Sequence, residues 1–112
     1  MEKKYHLLKN HHFKYLINEG KNLSNSQFYI YYINRSDFGT IKIGISVGKK
    51  IVRFAFERNK IKRQVRSMLI DVKKDWPVDM VIMVRKNYLS NTYEKNTSSL
   101  LNLLMKVPLK GV

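Results

Sequence analysis

Cysteine is absent from this 112-residue sequence, which excludes a disulfide framework and a zinc site built on cysteine ligands. No apolar run approaches the roughly 18 residues of a membrane-spanning helix, and no signal-peptide-like segment is seen. Internal repeats, low-complexity tracts and Pro/Gly-rich linkers are also missing, so residues 1–112 are expected to form a single domain. Without signs of export or membrane insertion, the expected location is the cytoplasm.

Acidic residues are scarce: eight Asp and Glu stand against 22 Lys and Arg, which gives a formal net charge of +14. Repulsion on this scale destabilises an isolated compact chain, and a polyanionic partner would relieve it. In a small protein with 44% hydrophobic residues, such an imbalance is typical of nucleic-acid binding. Binding to an anionic membrane surface is the competing interpretation of the charge.

Five cationic residues lie in one run, residues 57–66, and they recur there with helical spacing. On a helix of about 100° per residue the apolar side chains fall on one stripe, formed by Ile61, Val65, Met68, Leu69 and Val72. The opposite side carries Asn59, Lys60, Lys62, Arg63 and Arg66, with Arg58 at the border. Guanidinium groups match phosphate geometry, so this face predicts a polyanion-binding helix.

Before the basic run, the pattern predicts a helix and two long strands. Asn10 is the candidate N-cap of a helix that ends before Gly20, with Phe13, Leu16 and Ile17 on one face. Residues 28–33 and 41–47 are predicted as antiparallel strands around a turn at residues 37–39, and residues 21–23 are a candidate for a short strand.

After the basic run, Trp76-Pro77 marks a break, and residues 80–84 have the length and apolarity of a strand. Ser90 or Asn91 can cap a last helix, whose apolar spacing is carried by Tyr93, Thr97, Leu100, Leu101 and Leu104. The expected fold is an α/β (α+β) sandwich in which the basic helix connects two parallel strands. General rules would make that crossover right-handed.

Neither the histidines nor the aspartates form a convincing catalytic or metal site. His6, His11 and His12 suggest a metal site, but His11 and His12 are adjacent, so on a helix they point about 100° apart. Carboxylate partners for the three histidines are also missing from the pattern. Asp71, Asp75 and Asp79 have a spacing that suggests a two-metal nuclease, but Pro77 interrupts the helix that would align them. With no nucleophilic triad either, the chain alone is not expected to be an enzyme.

The central stretch at residues 49–63 resembles the protein component of bacterial ribonuclease P. A Lys-Lys pair follows a strand, an Arg-Asn-Lys triplet opens the helix, and an apolar residue and Lys-Arg come next. Supporting matches are Lys9-Asn10 with Phe13, then Gln27-Phe28, then residues 44–47, then Arg85-Lys86. Two residues depart from the family pattern: Lys60 replaces an arginine, which removes a bidentate fork, and Ser67 stands where an acid is common.

The resemblance implies a fold of order α-β-β-β-α-β-α, with a four-stranded sheet and a left-handed crossover. It implies a subunit that binds ribonuclease P RNA and precursor tRNA, while the RNA catalyses removal of the 5′ leader with Mg2+ that RNA mainly holds. No cofactor bound by the protein alone, no membrane and no small-molecule substrate are expected. Contacts to the catalytic RNA are expected from Arg58, Asn59, Lys60, Lys62, Arg63 and Arg66.

The resemblance also implies a groove for the single-stranded leader. Its expected residues are Phe13, Ile17, Tyr31, Lys49, Lys50, Arg53 and Arg85. Aromatic faces stack on bases without sequence preference while lysines track phosphates. The other interpretation of Phe13, Ile17 and Tyr31 is ordinary core packing between helix and sheet. A structural or ribosomal-type RNA-binding protein with no part in cleavage remains the alternative function.

Overall fold

The fold is built on a mixed five-stranded sheet, in a computed structural model that describes residues 6–7, 10–35, 39–72 and 75–107. The strands are β1 (His6–Leu7), β2 (Lys21–Ser24), β3 (Phe28–Asn34), β4 (Lys42–Val47) and β5 (Val78–Val84). The helices are α1 (Asn10–Glu19), α2 (Ala55–Met68) and α3 (Tyr93–Leu104), with a 3₁₀ helix at Lys86–Ser90. The four longer strands and three helices follow the predicted order, and β1 adds a two-residue pair at one edge.

The strand order is β1-β4-β5-β3-β2, so β5 lies between the two long strands that precede it in the chain. As predicted, β3 and β4 run in opposite directions, because β3 is antiparallel to β5 whereas β4 is parallel to it. They are not neighbours, however: β5 lies between them, and Asn34 of β3 and Lys42 of β4 pair with Val78 and Asp79 at the start of β5. The turn predicted at residues 37–39 lies largely outside the described residues, which include only Gly39. The handedness of the crossover through α2 stays a prediction.

The two faces of the sheet bury different helices. On one face the even-numbered residues of β3 and the odd-numbered residues of β4 pack with α2 and α3 into the main core. On the other face α1 packs through Leu16, which is 1% exposed and lies against Val81 of β5. Tyr31, Ile33 and Phe13 join this smaller cluster. The alternation predicted for residues 28–33 and 41–47 therefore assigns each side chain to its face.

Several predicted helix limits differ from those observed. Helix α2 stops at Met68, with Leu69 as its C-cap, well before the break at Trp76-Pro77. The cap of α3 is Thr92, whose Oγ1 accepts a hydrogen bond from the Lys95 backbone N–H at 3.2 Å, and not Ser90 or Asn91. Helix α1 ends before Gly20, as predicted, and begins at Asn10 itself; the Asn10 side chain lies outside the described part of the structure.

A polar network joins α3 to the loop between β2 and β3. The Asn25 carboxamide donates to the Ser99 hydroxyl at 2.7 Å and accepts from the backbone N–H of Phe28 at 2.9 Å. Gln27 accepts from the Ser99 hydroxyl at 3.0 Å and donates to Asn96, which is 1% exposed. Because buried amides are costly unless bonded, this network fixes the end of the sheet where β3 begins.

Candidate nucleic-acid interface

The solvent-facing side of α2 carries the predicted basic residues. Ile61, Val65 and Met68 are buried at 7%, 0% and 4% exposure, so the opposite side of the helix must face water. Exposed residues there are Asn59, Lys60, Arg63 and Arg66, while Lys62 is half-buried. The structure thus presents five of the six predicted RNA-binding residues as one cationic face.

Arg58, the sixth predicted RNA-binding residue, is committed to the protein itself. Its guanidinium donates to the backbone carbonyls of Val52 at 2.9 Å and of Arg53 at 2.8 Å. Both acceptors lie in the loop that leads from β4 into α2. Arg58 therefore holds this loop against the helix, a role that charge spacing alone does not reveal.

A second group of cations gathers at one end of the sheet. Because β4 and β5 are parallel, their carboxyl ends meet at the same edge, and there the chain continues into Lys49, Lys50 and Arg85. Arg53 follows in the same loop and is exposed, as are both lysines. The register Phe28↔Val84 brings the start of β3 to the same end. Lys49, Lys50 and Arg85 are therefore brought together by strand direction, whereas Arg53 lines a separate cleft between α2 and the 3₁₀ helix.

Arg85 is held beside an aromatic ring. Its guanidinium carbon lies 4.4 Å from the centroid of the Tyr29 ring, a cation–π distance, and it also donates to the backbone carbonyl of Asn25 at 2.5 Å. Tyr29 is 38% exposed, and its ring centroid lies 6.5 Å from that of Tyr31. Tyr29 was not among the predicted groove residues, although it shares one face of the predicted strand with Tyr31.

Phe13 packs on the backbone of the sheet at a glycine. A Cβ built on Gly44 would lie 2.3 Å from Cζ and 2.4 Å from Cε1 of the Phe13 ring, so only glycine permits this approach. Gly44 shares a register row with Val81 and Tyr31. Phe13 is therefore part of the packing between α1 and the sheet. Its ring is only half-buried, so part of it remains accessible on this face of the sheet.

Ile17 and Tyr31 remain accessible on the same face. Ile17 is 40% exposed and Tyr31 is half-buried. The other flank of α1, with Tyr15 and Glu19, lines a separate pocket against Ile33. The flank that carries Phe13 and Ile17 is thus turned toward Tyr29, Tyr31 and the cationic end of the sheet. We call this region, between α1 and the carboxyl ends of β4 and β5, the groove.

The predicted metal candidates are dispersed. Asp79 lies on β5 and forms an ion pair with Arg35, whereas Asp71 follows the end of α2. The side chains of His6 and His11 lie outside the described residues, and His12 is half-buried on α1. Over residues that the structure describes, no three His, Asp or Glu side chains gather as metal ligands. No helix in the described part of the chain is long and apolar enough to span a membrane.

Residues 1–108 match the family described as Ribonuclease P. The chain belongs to the ribonuclease P protein family. A ribonuclease P protein component of Bacillus cereus (strain G9842) is 35% identical over 114 residues, which cover 100% of this chain and 98% of that protein. The Bacillus anthracis (strain A0248) component is 34% identical and is covered to 95%.

Solved ribonuclease P proteins share the fold. The Staphylococcus aureus RNase P protein superposes with a TM-score of 0.80 at 28% identity, over 96% of this chain and 98% of that one. The Thermotoga maritima RNase P protein gives a TM-score of 0.74 at 28% identity, over 86% and 91%. The predicted family, the α-β-β-β-α-β-α order and the role of a ribonuclease P protein subunit are confirmed.

Proposed function

We propose that this chain assists a catalytic RNA in removing the 5′ leader from precursor tRNA, and does so in the cytoplasm. The observation that carries the proposal is the groove, where exposed cations and tyrosine faces meet at one end of the sheet. Lys49, Lys50 and Arg85 supply charge there, and Tyr29 and Tyr31 supply ring faces. A surface of this composition suits a single strand of nucleic acid.

The cationic face of α2 docks the catalytic RNA in this proposal. Its exposed side chains sit on a helix whose apolar stripe is locked in the core, so they are presented without a large loss of backbone freedom on binding. Each phosphate that such a face neutralises releases counterions, which makes affinity fall steeply with salt. Neutralising RNA phosphates also relieves the repulsion within a chain of net charge +14.

The groove separates precursor from mature tRNA, because only the precursor carries a leader. Stacking on Tyr31 and Tyr29 and attraction to Lys49 and Lys50 would stabilise the bound leader and would be absent for the product. Phe13 and Ile17 border the same space, so core packing and groove lining are compatible for Phe13. Ile17 can contribute apolar contact but not stacking.

Catalysis is assigned to the RNA. Among the described residues, no three carboxylate or histidine side chains gather to hold a metal ion. Mg2+ would then be held mainly by RNA and substrate, with the protein lowering phosphate repulsion around the ions. Purified protein without RNA should leave precursor uncut, whereas reconstitution with the RNA should restore cleavage at low magnesium. If adding the protein to the RNA leaves the rate of leader cleavage unchanged, a structural RNA-binding role would be favoured.

Salt dependence tests the docking face. Replacing Lys62, Arg63 and Arg66 by Ala should weaken binding to the catalytic RNA and flatten the log–log salt slope by roughly one unit or less for each phosphate that is no longer neutralised. A matched variant replaces Lys21, Lys95 and Lys106, which are exposed outside α2 and change the net charge equally. If both variants behave alike, general charge and not this face governs binding.

A further inference from the structure

Two phenylalanine rings are exposed side by side where α2 begins. Phe54 is 52% exposed and Phe56 is 70% exposed, although phenylalanine is a residue that folded proteins usually bury. Their ring centroids lie 5.9 Å apart with planes inclined by 25°, which is a stacked arrangement. Phe56, the more exposed of the two rings, therefore leaves most of its surface open to solvent at the start of the helix.

Cationic and amide groups surround these rings. The guanidinium carbon of Arg53 lies 5.6 Å from the Phe54 centroid. Phe56 lines a cleft of about 440 Å³ between α2 and the 3₁₀ helix, together with Arg53, Lys60, Gln64 and Asn91. Glu57 is the one acidic residue among those lining the cleft. We call Phe54, Phe56 and Arg53 the aromatic platform.

The platform is held in place by contacts beneath it. Arg58 bonds the carbonyls of Val52 and Arg53, which fixes the loop carrying the platform against α2. At the base of the cleft the Tyr88 hydroxyl donates to Gln64 Oε1 at 2.7 Å. Because these groups are already ordered, a ligand on the platform would lose little affinity to ordering of the protein.

We propose that the aromatic platform stacks an unpaired base of the catalytic RNA on the open face of Phe56, with its phosphate between Arg53 and Lys60. This inference rests on the proposed function, since it presumes that α2 faces that RNA. Charge complementarity favours RNA over a protein partner, because two cations and one acid line the cleft in a chain of net charge +14. The catalytic RNA is favoured over the leader because Lys60 belongs both to this cleft and to the cationic face of α2.

Two substitutions of Phe56 distinguish stacking on its ring from simple apolar contact. Phe56→Leu keeps apolar volume but removes the ring, and Phe56→Tyr keeps the ring. The dissociation constant for the catalytic RNA should rise about tenfold with leucine, as expected when one base–aromatic stack is removed, and stay within about twofold with tyrosine. The salt slope should be unchanged in both, because neither substitution alters a cationic side chain. Ile70→Ala, at a 51% exposed apolar residue beyond the end of α2, is the control.

RNA affinities of the Phe56 variants and of the α2 variant distinguish the aromatic platform from the docking face. If the Lys62, Arg63 and Arg66 variant loses affinity while Phe56→Leu binds like the wild type, the platform is refuted and the docking face stands. Equal losses for leucine and tyrosine would also refute stacking, as would an effect confined to precursor binding. Because Phe56 is largely exposed, all variants should melt like the wild type, and Phe54→Leu supplies a second test if one does not.

Discussion

The close contact between Phe13 and Gly44 makes a quantitative test of how α1 is seated on the sheet. Gly44→Ala would place a methyl group 2.3–2.4 Å from two ring carbons, so the ring must retreat by more than 1 Å to reach ordinary contact near 3.4–4 Å. Helix α1 cannot simply rise, because Leu16 of the same helix is 1% exposed and packs on Val81. The new methyl group therefore forces local strain.

Two opposing terms set the size of the effect. Overpacking a filled site costs roughly 1–3 kcal/mol. Replacing glycine by alanine lowers the conformational entropy of the unfolded chain, which stabilises the folded protein by about 0.4–1 kcal/mol where the backbone conformation suits alanine. The balance predicts that Gly44→Ala lowers the free energy of unfolding by about 1 kcal/mol, a fall in melting temperature of roughly 4 °C in a chain of this size.

A double-mutant cycle isolates the contact. Urea unfolding of the wild type, Gly44→Ala, Phe13→Ala and the double variant gives the four free energies. In the Phe13→Ala background the added methyl group has room, so Gly44→Ala should stabilise the protein by about 0.4–1 kcal/mol. The sign of the Gly44 substitution should thus reverse. If Gly44→Ala has the same effect in both backgrounds, Phe13 does not rest on Gly44.

Two further predictions concern single side chains. Lys60→Arg should tighten binding to the catalytic RNA by about 1 kcal/mol, since residue 60 is exposed and a fork can replace a point charge; weaker binding in a filter assay would show that the RNA partner is suited to lysine. Burial, with a smaller contribution from Tyr93, raises the pKa of Tyr88 from 10.0 to about 12. Between pH 10 and about 12 the Tyr88 phenol loses its proton in the unfolded chain but keeps it in the folded protein. The contribution of this phenol to the free energy of unfolding is therefore intact below pH 10 and is lost as the pH rises to about 12. Relative to Tyr88→Phe, the wild type should lose about 2–3 kcal/mol of stability over that window, and parallel stability curves would contradict the assignment.

Local patterns predicted the elements because each depends on neighbouring residues. The stripe Ile61, Val65 and Met68 is buried as its spacing requires, and the alternation in β3 separates Tyr29 and Tyr31 from Ile30. The placement of β5 between β3 and β4 depends on contacts distant in sequence, and no local signal encodes it. Competing caps within three residues of one another explain why Thr92 was missed.

The groove was predictable in part. Its cations follow strand ends, so the resemblance and the parallel pair were enough to anticipate Lys49, Lys50 and Arg85. The contact of Phe13 with Gly44 and the hydrogen bonds of Arg58 to loop carbonyls could not be predicted, because they depend on the distance between elements. The exposure of Phe54 and Phe56 could not be predicted either, since apolar residues at the start of a helix are usually buried in a core.

The most direct test of the account is the affinity of the reconstituted holoenzyme for precursor and for mature tRNA. Tyr31→Ala combined with Lys49→Ala should raise the dissociation constant for precursor, with the removed stacking alone worth roughly 1–3 kcal/mol, and leave that for mature tRNA nearly unchanged. Tyr15→Ala with Lys95→Ala, at exposed sites outside the groove, is the matched control. The difference between the two substrates should shrink when the leader is cut to one or two nucleotides. Equal weakening for precursor and mature tRNA would contradict the groove and return Tyr31 to core packing and Lys49 to general RNA docking.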